Sequence, residues 1–227
     1  MNERCEAPLF IVGTERSGSN LMRLILDAHS RIDVPHPPHL MNYLGPIESS
    51  YGDLSEPRSL RSLARDLLWI VRRHIYPWDV QPTVDELISD AASPDLLGLM
   101  GALYDAHRRY RGKARWGCKS TFVIDYVDRV LEQYPAAQFV WLVRDPRDVA
   151  VSSRKSVFSP CHPVNTARLW TRQQAHGLEL EKRLSSERWH RMTYEQLTTD
   201  PEGEIRRVCE FLGEEFEPGM LRFFETD

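Results

Sequence analysis

The sequence predicts an α/β fold, a central parallel sheet flanked by helices, and three observations predict it. Two short, almost wholly apolar runs, Leu9–Val12 (LFIV) and Gln138–Val143 (QFVWLV), are the length of strands and lack a polar face, as strands covered on both sides do. Each is followed by a polar turn and then by apolar residues at helical spacing, the alternation that builds parallel sheets. The first turn also has the glycine spacing of a phosphate-binding loop, which makes the expected fold P-loop-like. The 227 residues fit one domain, 1–227, interrupted by a helical insertion at about 59–111.

The elements follow in order. Leu9–Val12 is a strand ending at Gly13, Thr14–Ser19 is a loop, and Asn20–His29 is a helix. Proline, glycine and serine dominate 31–57, which reads as mostly loop. Ser59–Ile75 is a strongly amphipathic helix. Two further helices open near Pro82–Thr83 and Pro94, the second running to about Arg111. Ala114–Lys119 is a possible strand, and Val123–Tyr134 is a helix stopped by Pro135. After the strand 138–143, Pro146 stands as the first residue of a helix reaching about Ser156. Asn165–Leu184 is a long helix and Trp189–Tyr194 a possible strand. Pro201–Leu212 is a helix capped by Gly213.

Composition narrows the function. Hydrophobic residues make up 41% and charged residues 27%, ordinary for a globular chain. The formal net charge of −4 gives no ground for nonspecific nucleic-acid binding. Cys5, Cys118, Cys161 and Cys209 are scattered, with neither a CxxC pair nor histidines at zinc spacing, so free thiols and no metal site are expected. The N-terminus reads as a strand rather than a leader, and no run approaches the ~20 apolar residues of a membrane span. A cytoplasmic location without membrane partners is the expectation; oligomeric state is not legible.

Two segments carry chemistry. Gly13-Thr14-Glu15-Arg16-Ser17-Gly18-Ser19-Asn20 keeps the G-x4-G spacing whose backbone N–H groups and following helix attract an anion. The lysine and magnesium-binding hydroxyl that follow in nucleotide kinases are replaced by Ser19 and Asn20. A cation stands earlier instead, at Arg16, where a guanidinium can clamp a phosphate. The strand 138–143 ends in Arg144, where a P-loop nucleotidase has a magnesium-binding carboxylate. Ser152 lies two helical turns into the helix that follows, which turns it back toward Arg144. Arg147, between Asp145 and Asp148, reads as a salt-bridge residue. Two anion sites at the carboxyl ends of two strands suit a ligand phosphorylated at two places.

These residues resemble a known family. TERSGSNLMRLILDAH looks like the 5′-phosphosulfate loop and helix of sulfotransferases that use PAPS (3′-phosphoadenosine 5′-phosphosulfate), and FVWLVRDPRDVAVSS is similar to their 3′-phosphate motif. RWGCKSTF resembles their lysine-bearing segment, and MTYEQLTTDPEGEIRRVCEFLGEEFEP their tyrosine-bearing segment and following helix, as found in the tyrosylprotein, carbohydrate and bacterial branches. Together the similar segments span about Leu9 to Phe224. The resemblance implies that Arg16, Ser17, Gly18, Ser19 and Asn20 hold the 5′-phosphosulfate. By the same token Arg144 and Ser152 hold the 3′-phosphate, Tyr194 lies near the adenine, and Lys119 reaches the sulfuryl group or the bridging oxygen. It implies in-line transfer to a hydroxyl or amine, leaving PAP (adenosine 3′,5′-bisphosphate), with no metal. The acceptor would be a small molecule, carbohydrate, lipid or peptide.

The departures shape the expectations. The tyrosylprotein branch carries a glutamate base shortly after the first helix; here the stretch is Val34-Pro35-His36-Pro37-Pro38-His39. A neutral histidine accepts a proton near pH 7, which singles out His36, with His39 second and Glu48 and Glu56 behind. His29 reads as a helix-end residue. The basic stretch that many members carry beyond the segment matching Glu217–Leu221 has no counterpart before Asp227. Trp69, Trp78, Tyr76 and Tyr104 are candidates to line the acceptor pocket. A small-molecule kinase and a non-catalytic nucleotide-binding protein stay open as alternatives.

Overall fold

A computed structural model describes residues 4–156 and 159–225. In chain order its elements are β1 (Leu9–Gly13), α1 (Ser19–Asp27), β2 (Ile32–Asp33), α2 (Leu40–Tyr43), α3 (Pro57–Arg72), α4 (Val84–Asp90), α5 (Leu96–Tyr110), β3 (Arg115–Lys119), α6 (Val127–Gln133), β4 (Gln138–Val143), α7 (Pro146–Ser153), α8 (Pro163–Arg183), β5 (Trp189–Thr193), α9 (Tyr194–Thr199) and α10 (Pro201–Leu212). Short 3₁₀ segments occupy Gly45–Tyr51, Thr121–Tyr126 and Pro218–Glu225.

The five strands form one sheet in the order β2-β3-β1-β4-β5, and every pairing is parallel. β1 lies in the middle, and all five of its residues are buried. Its side chains alternate between the two faces, as a strand must. Phe10 and Val12 join the core that also holds α3, α5 and α6 residues. Leu9 and Ile11 join the core on the α1 and α10 side. Phe10 stacks on Phe139 and meets Trp116 edge-on, so three strands are joined by aromatic contact. Gly177 lets α8 lie flat on β4, since a Cβ there would stand 2.4 Å from the Trp141 ring.

Two stretches differ from the sequence expectation. The segment 31–57 contains β2, α2 and the 3₁₀ turn rather than mostly loop. β2 is fixed by pairing with Arg115 and Trp116, eighty-odd residues away, and two residues are too few to show a period. Tyr194, expected at a strand end, opens α9 instead. Thr193 and Gln196 form a capping box there, with the Thr193 hydroxyl accepting from Gln196 N and the Gln196 side chain accepting from Thr193 N. Four helices, α2 to α5, stand between β2 and β3, and α3 to α5 occupy the stretch read as a helical insertion. Because β1 is flanked by β3 on one side and β4 on the other, the loops after these strands meet at the carboxyl edge, where open α/β sheets bind ligands.

Candidate active site

The loop after β1 has the backbone of an anion cradle. Gly18 sits at φ 91°, and Arg16, not a glycine, sits at φ 70° in the left-handed region. A side chain at Gly18 would meet the Tyr194 ring at 2.4 Å, so only glycine fits between loop and ring. The Ser17 hydroxyl is fully buried and has no hydrogen-bond partner among the described residues, although buried polar groups usually find one. That orphaned group, the N-terminus of α1 just beyond it and the glycine at the crossing suit an incoming anion. Ser19 and Asn20 open α1, and the Asn20 side chain accepts from Arg23 Nε at 3.0 Å.

Arg144 and Ser152 do approach the loop, and both fasten onto Arg16. Arg144 Nη1 donates to the Arg16 carbonyl at 3.0 Å. Arg16 Nε donates to Ser152 Oγ at 3.0 Å. The sequence placed Ser152 back toward Arg144; the structure gives it to the guanidinium of the other loop. Arg144 also lies over the Tyr194 ring, 4.1 Å from its centroid, and its Nε is buried and unpartnered among the described residues. α8 braces this arrangement from behind. Trp170 Nε1 donates to the Arg144 carbonyl at 3.1 Å, and Gln174 Nε2 donates to Thr14 Oγ1 at 2.9 Å. A cleft of about 530 Å³ on that side, lined by Trp141, Trp170, Gln174 and Arg191 among others, holds none of the loop residues. Arg147 is tied to Asp145 at 2.6 Å, as its neighbours predict.

Lys119 ends β3, with Ile11 of β1 as its register partner. Burial first, and then the Arg23 guanidinium, lowers the Lys119 ammonium to about 8, while Glu15 pulls the other way. His36 and His39 belong to the same electrostatic neighbourhood. Burial followed by Arg23 lowers His36 to about 3, with smaller effects from His74, Lys119 and His39. Burial followed by Lys119 lowers His39 to about 4. Both imidazoles are therefore neutral at pH 7. His36 Nδ1 is buried without a partner among the described residues, and the ring packs 4.4 Å from Tyr76 and 4.9 Å from His74. His39 holds a left-handed backbone, φ 51°, and its Nδ1 lies 3.5 Å from Ser120 Oγ.

Three residues of this centre escaped the sequence reading. Arg23 lies one turn beyond Asn20 and reaches the Val34 carbonyl at 3.2 Å. Glu15 is raised by burial, against the pull of a Ser159 hydrogen bond, Lys119 and Arg16. His74 sits beside His36. Arg23 was legible as a cation one helical turn from the loop; Glu15 and His74 carried no spacing signal.

Other candidates have structural work. His29 is buried; its Nδ1 accepts from Arg31 N and its Nε2 donates to the Glu215 carbonyl at 2.9 Å. Glu48 binds Arg129 and accepts from Leu96 N at the start of α5. Glu56 precedes α3 at its N-cap. Trp78 and Tyr104 are core residues, whereas Trp69 and Tyr76 are exposed.

The profile of the sulfotransferase family matches residues 8–218. The chain belongs to the sulfotransferase family. A curated relative of the chain, an uncharacterized protein of Aquifex aeolicus (strain VF5), is 25% identical over 96% of the chain. The chain spans 27% of that relative's length. The sulfotransferase domain from the Synechococcus PCC 7002 olefin synthase superposes with a TM-score of 0.71 at 22% identity, covering 99% of this chain and 79% of that one. Mouse sulfotransferase SULT7A1 complexed with PAP superposes with a TM-score of 0.52 at 14% identity, covering 97% of this chain and 63% of that one. These likenesses establish a shared fold around the P-loop-like sheet. No helix among the described residues is long and apolar enough to cross a membrane.

Proposed function

We propose that this sulfotransferase moves a sulfuryl group from PAPS to a hydroxyl or amine by in-line, metal-independent transfer, releasing PAP. The observation that carries the proposal is the direct join between two cationic loops, Arg144 Nη1 to the Arg16 carbonyl at 3.0 Å. It brings two anion-binding loops to one carboxyl edge, a spacing suited to a ligand phosphorylated at both ends of a nucleoside. The donor set agrees, because Asn20 and Arg144 occupy positions where magnesium chemistry needs a hydroxyl and a carboxylate. Orphaned polar atoms on Ser17 and Arg144 and the glycine crossing at Tyr194 fit such a ligand.

In this reading Arg16, Ser17, Gly18, Ser19 and Asn20 hold the 5′ end, Arg144 and Ser152 the 3′-phosphate, and Tyr194 the base. PAPS supplies the activated sulfuryl group. Arg16 and Lys119 stabilise charge that develops on the leaving phosphate oxygen. His36, with His39 as the second candidate, takes the acceptor's proton; burial and then the Arg23 charge depress it, and a bound anion would offset the charge part alone. A carbohydrate, lipid, peptide or other small hydroxyl compound is the acceptor. Thermal shifts with PAP against ATP and magnesium test the proposal, since ligands that bind only the folded state raise its melting temperature. A shift with PAP and a smaller one with ATP is expected. The reverse ranking would return the chain to the kinases.

A further inference from the structure

α3 has one buried face and one cationic face. Leu60, Leu63, Leu67 and Val71 are buried. Opposite them Arg58, Arg61, Arg65, Trp69 and Arg72 are all exposed, at steps of three and four residues, which places them in one row along the helix. At ~1.5 Å per residue the row is about 21 Å long. Asp66 is the only carboxylate between 57 and 76, and its side chain accepts from Tyr51 Oη at 2.6 Å. Arg61 pairs with Asp85. Arg58, Arg65 and Arg72 have no ion-pair partner among the described residues.

This concentration of arginine stands out in a chain of net charge −4. Its apolar content is also unusual for a solvated face. Trp69 is 57% exposed with Arg73 over its ring, and just past the helix end Ile75 and Tyr76 are 70% and 59% exposed. Trp and Arg together are the residue types that dominate binding energy at protein interfaces. The row ends at the candidate site, where Tyr76 and His74 pack against His36.

We propose that the exposed face of α3 docks an acidic amphipathic helix of a partner protein, which presents the acceptor to the His36 side of the site. Glutamates one turn apart on that helix would match the arginine spacing, and an apolar residue would cover Trp69 and Ile75. An acidic glycan would satisfy the arginines but leave Ile75 without a partner, so the apolar component favours protein. The delivery of an acceptor rests on the sulfotransfer proposal; the docking itself does not.

The test uses a fluorescein-labelled synthetic helix with glutamates along one face and leucines beside them, read by anisotropy without donor or acceptor. Heparin oligosaccharide is the competitor. Saturable binding is expected, weakened at least about tenfold in the triple variant Arg58→Glu, Arg65→Glu, Arg72→Glu, and several-fold in Trp69→Ala. Added salt should weaken it as exposed charges are screened. Both variants should keep the wild-type thermal shift with PAP, which checks that they are folded. No binding at low salt, equal binding by the triple variant, or heparin displacing the peptide at lower concentration than unlabelled peptide would each overturn the proposal. A failed sulfate-transfer assay beside intact peptide binding would instead fault the sulfotransfer reading alone.

Discussion

The phosphate edge and the histidine side of the same site are built differently. At the edge proposed to bind phosphate, Arg16, Ser17, Gly18 and Arg144 come from loops directly after β1 and β4, and the two loops hold each other through Arg144 and Arg16. On the histidine side, His36 meets Tyr76 and His74, and its backbone carbonyl accepts from Trp78 Nε1 at 2.8 Å. Those partners all come from the chain just beyond α3, between it and α4. On the proposed reading, donor binding would be a property of local sequence, whereas acceptor recognition would depend on how a helical segment packs. Substitutions at the two places should therefore fail in different ways.

The largest effect is expected at the join. Arg16→Ala removes both the cation beside the 5′ end and the hydrogen bond to Ser152, and should lower kcat/KM by about 10²–10³-fold. An effect confined to KM would assign Arg16 to binding alone. Lys119→Met comes next, at about 10²-fold near pH 7. Lys119 is protonated below about 8 in the folded chain, so wild-type kcat/KM should fall as pH rises through that value. The variant should lack that descending limb; a limb that persists would belong to another group. Arg144→Ala should weaken PAP by about 1.5–3 kcal/mol, measured by calorimetry, while leaving the pH profile in place. Trp78→Phe should do least. Losing its hydrogen bond to the His36 carbonyl costs about 1 kcal/mol of stability in denaturant unfolding. PAP affinity should stay as it was and the acceptor KM should move. A change in PAP affinity would show that the two sides are not separable.

The same contrast explains what could be read before the structure. β1 and β4 announce themselves because strands covered on both faces are apolar throughout, and the loops after them carry glycine and arginine at fixed positions. That Arg16 and Arg144 both follow the carboxyl ends of buried strands was legible; that β1 and β4 are neighbours, and that Ser152 pairs with Arg16, was not, since these turn on the strand order and on a side-chain direction at a crossing of two loops. β2 was invisible because only tertiary pairing defines it. The α9 start was visible as Thr193-x-x-Gln196 and was overlooked. Arg23 was legible as a cation one helical turn from the loop and was overlooked, whereas Glu15 is marked only by burial and by the charges of Lys119 and Arg16 around it. His36 is neutral for reasons absent from its neighbours in sequence, namely burial and the Arg23 charge.

Everything proposed for the phosphate edge requires that it recognise a 3′-phosphate through Arg144. Calorimetric titration of the wild type and Arg144→Ala with PAP and with adenosine 5′-monophosphate isolates that group. The wild type should prefer PAP by about 10–100-fold, and the variant should bind both nucleotides with nearly equal affinity. Equal affinities in the wild type, or a preference undiminished in the variant, would contradict the placement of the 3′-phosphate.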